Sequence, residues 1–225
     1  MGSSTQLADR LSENLVQQQF IEHSFFKNVD AAALTPEQVA VFIGQWWHPL
    51  HYFPTFLARS VAVLPDVAAK SAITRILNQE IGGGNPKLAH EVIYVDTMEK
   101  AGFERAVVTD SPPFFETADL VAGYERASAE HLSTLGFIFA TEVTDLLMVS
   151  SIGTAVEHAT GVSDLEWVRI HVEQEPDHVE EANHSLLQDF GPDEEAAILK
   201  SAEEMWTLWH RFFDRLGEEI VSAAL

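Results

Sequence analysis

His171-Val172-Glu173-Gln174-Glu175-Pro176-Asp177-His178 places two imidazoles around a carboxylate, at its first, fifth and eighth positions. In a helix, at about 100° per residue, His171, Glu175 and His178 fall within roughly 60° of one another on a single face. Such a helix offers three metal ligands. The rest of the chain adds Glu80, His90 and Glu142, each in an apolar or helix-end setting, and the combined nitrogen and oxygen donors suit an iron-type site. Two features of the run pull the other way. Glu173, Asp177, Glu180 and Glu181 make it acidic enough for a solvated face. Pro176 removes one helical hydrogen bond and disfavours helical geometry at Glu175, so a kinked or marginal helix is expected there, ordered by metal binding.

Outward from this segment, helical periodicity with recognisable caps recurs along the chain and strand signals are almost absent, so the fold class is all-α. Thr5 to about Val29 carries Leu7, Leu11, Leu15 and Phe20 in helical steps. Leu34-Thr35-Pro36-Glu37 then supplies an N-cap threonine and a first-turn proline. The helix that starts there runs through Val39, Phe42, Trp46, Trp47, Leu50, Phe53 and Phe56. Kinks are expected at Pro49 and Pro54, near His48 and His51, and kinks in so apolar a helix favour a cavity. Asp66 to Ile81 forms a further helix ended by Gly82-Gly83-Gly84, and Asn85-Pro86 restarts the chain toward His90. Glu80 and His90 therefore belong to two helices. After the break at Asp110-Ser111-Pro112-Pro113, three more helical regions are expected: Phe114 to about Thr160, Ser163 to Phe190 and Asp193 to Ala224. The expectation is one domain over residues 1–225 with about seven or eight helices, and neither a repeat nor a linker.

Composition narrows the function classes. A chain of 225 residues, 46% of them hydrophobic, can bury a substantial core. Thirty-five acidic against thirteen basic residues give a net charge of −22, which repels nucleic acid and anionic membrane surfaces. With no cysteine there is no disulfide, Cys-zinc site, iron–sulfur cluster or thiol nucleophile. No basic-then-apolar leader is evident and no uninterrupted apolar run reaches membrane-spanning length, so a cytoplasmic protein is expected.

A solitary buried histidine is more often hydrogen-bonded structure than a ligand, so the metal reading rests on convergence. Glu142 lies between Leu135-Gly136-Phe137-Ile138-Phe139-Ala140-Thr141 and Leu146-Leu147-Met148-Val149. Burying that carboxylate unpaired costs several kcal/mol. No cationic side chain lies near it in sequence, which leaves a divalent metal or an Arg or Lys brought from elsewhere as its partner. Glu80 alone also fits a surface helix end, and His90 alone is unremarkable. His23, His131, His158, His184 and His210 read as structural or surface residues, and Trp206, Trp209, Phe212 and Phe213 as core, with a substrate-facing role as the lesser alternative.

Taken together, these residues resemble the haem-oxygenase-like diiron oxidases and oxygenases, described broadly as iron-containing redox enzymes. The resemblance covers most of the chain. It rests on His23-Ser24-Phe25-Phe26, the aromatic Phe42 to Phe56 helix, Gln79-Glu80-Ile81-Gly82 with His90 beyond it, Glu142 on a middle helix, and the His-x-x-x-acid-x-x-His motif. It implies a haem-oxygenase-like helical bundle holding two Fe(II) ions on Glu80, His90, Glu142, His171, Glu175 and His178. Two departures stand out. The family's motif usually carries Asp where this chain has Glu175. Some members, including those that oxygenate amines, carry an extra carboxylate near the position of His51, which is therefore either a seventh ligand or a group behind the ligands.

The activity implied by the resemblance is O2-dependent oxidation of a small molecule, here an amino acid or an amine derived from one, with outcomes from N-oxygenation and desaturation to C–C cleavage and rearrangement. An external electron donor and a homodimeric state are implied with it. Trp46, Trp47, Tyr52, Phe53, Phe137 and Phe139 are the candidates to shape the pocket. The rivals are a haem oxygenase using His23, a cofactor-independent oxidase resembling the pyrroloquinoline quinone synthesis enzyme, and a non-catalytic helical binding protein. A thiaminase-like hydrolase of this architecture needs a cysteine that the chain lacks.

Overall fold

Local capping chemistry cuts the chain into more helices than the hydrophobic periodicity suggests. The computed structural model describes residues 3–31 and 34–222, and within them are eleven α-helices and one 3-10 turn. The single helix expected from Thr5 to Val29 is three: α1 (Ser3–Ser12), α2 (Leu15–Ile21) and α3 (Ser24–Ala31). Asn14 interrupts the first because its side chain accepts a hydrogen bond from the Val16 N–H at 2.8 Å, and His23 interrupts the second by accepting one from the Phe25 N–H at 3.0 Å.

α4 (Pro36–Val63) begins as the Thr35 signature predicts, in a reciprocal capping box with Gln38. It continues as a helix through Pro49 and Pro54. α5 (Val67–Glu80) is capped by Asp66 and ends at the glycine triplet. Gly82 has φ +84°, and a Cβ there would sit 2.2 Å from the Asn85 carbonyl oxygen, so the reversal needs glycine. The 3-10 turn Pro86–Leu88 then leads into α6 (His90–Lys100), and α7 (Arg105–Thr109) follows.

The region from Phe114 to Thr160 divides into α8 (Phe115–Ala127) and α9 (His131–Thr160), where the Thr134 hydroxyl donates to the Ala127 carbonyl across the turn. α10 (Glu166–Ser185) continues as a helix through Pro176, so the helix expected to be marginal is unbroken. Both Pro176 and Val172, whose carbonyl loses its donor, lie on the exposed side, where water can satisfy that carbonyl. α11 (Pro192–Ser222) closes the bundle.

α9 is the axis of the bundle and packs most extensively on α11 and α10. Its length and apolarity would suit a membrane span, but most of that apolar stretch is buried against the other helices. Gly136 permits the close approach of α11: a Cβ there would lie 2.4 Å from the Ile198 carbonyl oxygen and 2.8 Å from the Ala202 nitrogen. Backbone atoms cannot yield as a side-chain tip does. Gly136→Ala is therefore expected to cost roughly 3 kcal/mol and to lower the melting temperature by roughly 10 °C in a thermal scan. An unchanged midpoint would mean that the two helices are not held at this separation.

Candidate metal centre

Six polar side chains predicted from sequence meet in the middle of this apolar bundle, and all six are buried. Glu80 comes from the last turn of α5, His90 from the first residue of α6, Glu142 from the middle of α9, and His171, Glu175 and His178 from successive turns of α10. They form two groups, Glu80–His90–His171 and Glu142–Glu175–His178, in each of which the candidate ligand atoms lie within 4.8 Å of one another. Glu80 also reaches toward the second group, with Oε1 3.0 Å from His90 Nδ1 and 3.9 Å from His178 Nδ1. His178 Nδ1 is in turn 3.3 Å from Glu142 Oε2 and 3.9 Å from Glu175 Oε2.

Neighbouring groups fix which nitrogens face the centre. His171 Nδ1 donates to the Trp167 carbonyl at 2.7 Å, one helical turn back, which leaves Nε2 as its ligating atom. His90 Nε2 donates to Gln174 Oε1 at 3.1 Å and leaves Nδ1 toward Glu80. Gln174 lies on α10 between the ligand positions, so one helix supplies three candidate ligands and the group that orients a fourth.

The electrostatics are those of a site short of positive charge. Burial alone would raise the Glu80 carboxyl, but His90, His178 and His171 overcome it and hold the group down at about 2. Burial pushes Glu175 up strongly, and the nearby acids Asp145 and Glu142 push it further. Glu142 is raised by burial in spite of His178. Burial would lower His178, but Glu142 and Glu80 raise it to about 9, whereas burial lowers His171 to about 4. Protons thus stand where the carboxylates lack a cation.

A cavity of about 30 Å³ adjoins Glu80, Glu142, His171 and His178, room for about two water-sized molecules. Trp46, Pro49, Leu50 and Phe53 of α4 line it together with Tyr124, Trp167 and Trp209, Trp46 stacking on Trp209, and neither lysine nor arginine lines it. Of the aromatic residues expected to shape a pocket, Trp46 and Phe53 do so, while Trp47, Tyr52, Phe137 and Phe139 do not line it. Trp209, read as core, does.

His51 is a correction. Its side chain is exposed, stacks on Trp47 and pairs with Glu91 at 2.6 Å, because it lies roughly 130° around α4 from the Trp46–Leu50–Phe53 face. Sequence reasoning also missed Asp145. It follows Glu142 by three residues and so shares its face, and it lines the cavity against Glu175. Glu142-x-x-Asp145 inside an apolar helix was the available signal.

The donor set fits divalent iron. Glu142 Oε1 and both Glu175 oxygens are buried without a hydrogen-bond partner, a costly state in a metal-free protein and an ordinary one for ligand atoms. A third group, His23–His210–Asp214, fits a metal less well. His23 Nδ1 accepts the Phe25 N–H, so neutral His23 carries its proton on Nε2 and donates it to Asp214 at 3.1 Å. That polarity is the reverse of His171 and suits a structural clamp, with His210 3.1 Å from the other Asp214 oxygen.

Comparison with known proteins agrees with this geometry. The family model for iron-containing redox enzymes matches residues 40–210. The chain belongs to that family. This member of the family has the haem-oxygenase-like fold, as its similarity to solved structures shows. A CADD-like protein of unknown function from Nostoc punctiforme matches with a TM-score of 0.79 at 16% identity, over 96% of each chain. A domain of unknown function with a haem-oxygenase-like fold from Shewanella denitrificans matches with 0.75 at 18% identity, over 96% of this chain and 92% of that one. A TenA homologue from Pseudomonas syringae pv. tomato matches with 0.74 at 15% identity, over 95% and 92%. No curated protein matches.

An acid whose folded-state pKa is raised destabilises the fold increasingly as pH climbs above its unfolded value, because folding must then take up a proton. Glu175 is such a group. Metal-free Glu175→Gln, which needs no proton, is expected to melt roughly 2–8 °C above the parent at pH 8, with the gap closing toward pH 4.5. A lower melting point for the variant at pH 8 would show that the carboxyl is satisfied without metal.

Proposed function

We propose that this iron-containing redox enzyme is a non-haem diiron oxidase or oxygenase that uses O2 to oxidise a small amino acid or amine-derived substrate. The observation that carries the reading is the pair of three-residue donor groups, Glu80–His90–His171 and Glu142–Glu175–His178, with Glu80 reaching from the first toward His178 of the second, beside a cavity lined by neither lysine nor arginine. The first ion would be held by Glu80, His90 and His171, and the second by Glu142, Glu175 and His178, with Glu80 facing both. When bound, ferrous ions supply the electrons that activate O2, a role for which mixed carboxylate and imidazole ligands suit iron.

The chain's own contribution is orientation and exclusion. The Trp167 carbonyl holds the His171 ring in one tautomer, and Gln174 does the same for His90. The indoles of Trp46, Trp167 and Trp209 keep bulk water from the ligands, which strengthens every electrostatic interaction inside. With acids, two imidazoles and aromatic rings but neither lysine nor arginine on its walls, the cavity favours an amine over a carboxylate, and an amino-acid-sized substrate needs those walls to part. The net charge of −22 favours the approach of such a cation. Turnover requires an external electron donor.

Anaerobic titration of metal-free protein with Fe(II) is expected to give two ions per chain, and the loaded protein to consume O2. Glu142→Ala and His171→Ala should each weaken binding by more than about 100-fold, beyond what losing a supporting group costs. If the parent binds no iron while remaining folded, the cofactor-independent oxidase or the binding protein takes its place.

A further inference from the structure

Asp145 has no assigned role among the six predicted ligands; it is half-buried where they are buried, yet it reaches the same centre. It projects from α9 on the face of Glu142, roughly 60° away around the helix. It lines the same cavity as Glu80, Glu142, His171 and His178. Its carboxyl lies against that of Glu175, and neither Glu175 oxygen accepts a well-formed hydrogen bond. No lysine or arginine faces it across the cavity. Two acids turned toward each other without a cation between them are the arrangement that a bound cation resolves.

Charge counting points the same way. Two divalent ions bring four positive charges, and Glu80, Glu142 and Glu175 bring three negative ones. In a dry, apolar setting a residual charge is expensive, and a fourth carboxylate removes it. The chain has that carboxylate one helical turn from Glu142. His51, the other candidate for an added ligand, is exposed and paired with Glu91.

We propose that Asp145 is a seventh protein ligand, joining Glu142, Glu175 and His178 around the second ion. This inference rests on the diiron reading. It makes the two half-sites unequal. Glu80–His90–His171 is nitrogen-rich, whereas the second half has three carboxylates to one imidazole, and its hold on iron depends on charge more than on ligand softness.

The test is anaerobic Fe(II) titration of Asp145→Asn and Asp145→Glu beside the parent, followed by calorimetry and by the rise in melting temperature on loading. Asparagine keeps the shape and removes the charge, so the metal-free variant is expected to fold, with a melting point equal to or above the parent's. It should retain one ion at parental affinity and bind the second at least about 10-fold more weakly. Asp145→Glu should recover most of that loss, which a merely structural role would not produce. Two ions bound by Asp145→Asn at parental affinities would overturn the assignment of Asp145 while leaving the diiron reading intact. A parent that takes fewer than two ions would overturn both.

Discussion

The structure depends on bringing four carboxyl groups, the buried Glu80, Glu142 and Glu175 and the half-buried Asp145, around three imidazoles at the centre of an apolar bundle. In water such groups repel weakly. Enclosed by Trp46, Trp167, Trp209 and Tyr124, they interact through a poor dielectric that strengthens repulsion and removes hydration together. The metal-free chain meets this cost with protons, which is why His178 and Glu175 hold theirs so firmly. Divalent ions would replace those protons and turn the least favourable part of the fold into its anchor.

The surrounding helices explain how the cost is carried. α9 contributes two of the acids from a predominantly apolar stretch, and its approach to α11 at Gly136 places backbone against backbone along the bundle axis. The dense core offsets the polar centre. The Gly82–Gly84 reversal separates Glu80 from His90 by one tight turn and a 3-10 turn, so two helix ends deliver two side chains to one point. α10 does the most. It presents His171, Gln174, Glu175 and His178 inward and Pro176 outward, where the proline's missing donor is tolerated.

Much of this was legible in the sequence, and the reasons are specific. His171, Glu175 and His178 were readable because helical spacing converts directly into a shared face. Glu142 stood out as a charge inside an apolar run. Asp145 obeyed the same two rules but lies between polar Thr144 and half-exposed neighbours, and was passed over. His51 was misplaced because its neighbour Leu50 and the aromatic Trp46 and Phe53 define the cavity face of α4, and one residue's rotation carries it to solvent. The division of the N-terminal region into α1, α2 and α3 escaped a periodicity argument because Asn14 and His23 act through side-chain hydrogen bonds to the backbone, which apolar spacing does not report. Trp209 could not be assigned to the cavity, since core and cavity walls use the same residues.

The most direct test of the account is anomalous diffraction at the iron absorption edge from crystals grown with ferrous iron under anaerobic conditions. Two peaks are predicted, one among Glu80, His90 and His171 and the other among Glu142, Glu175 and His178, with the Glu80 carboxylate between them. An empty centre, or iron only at His23, His210 and Asp214, would contradict it.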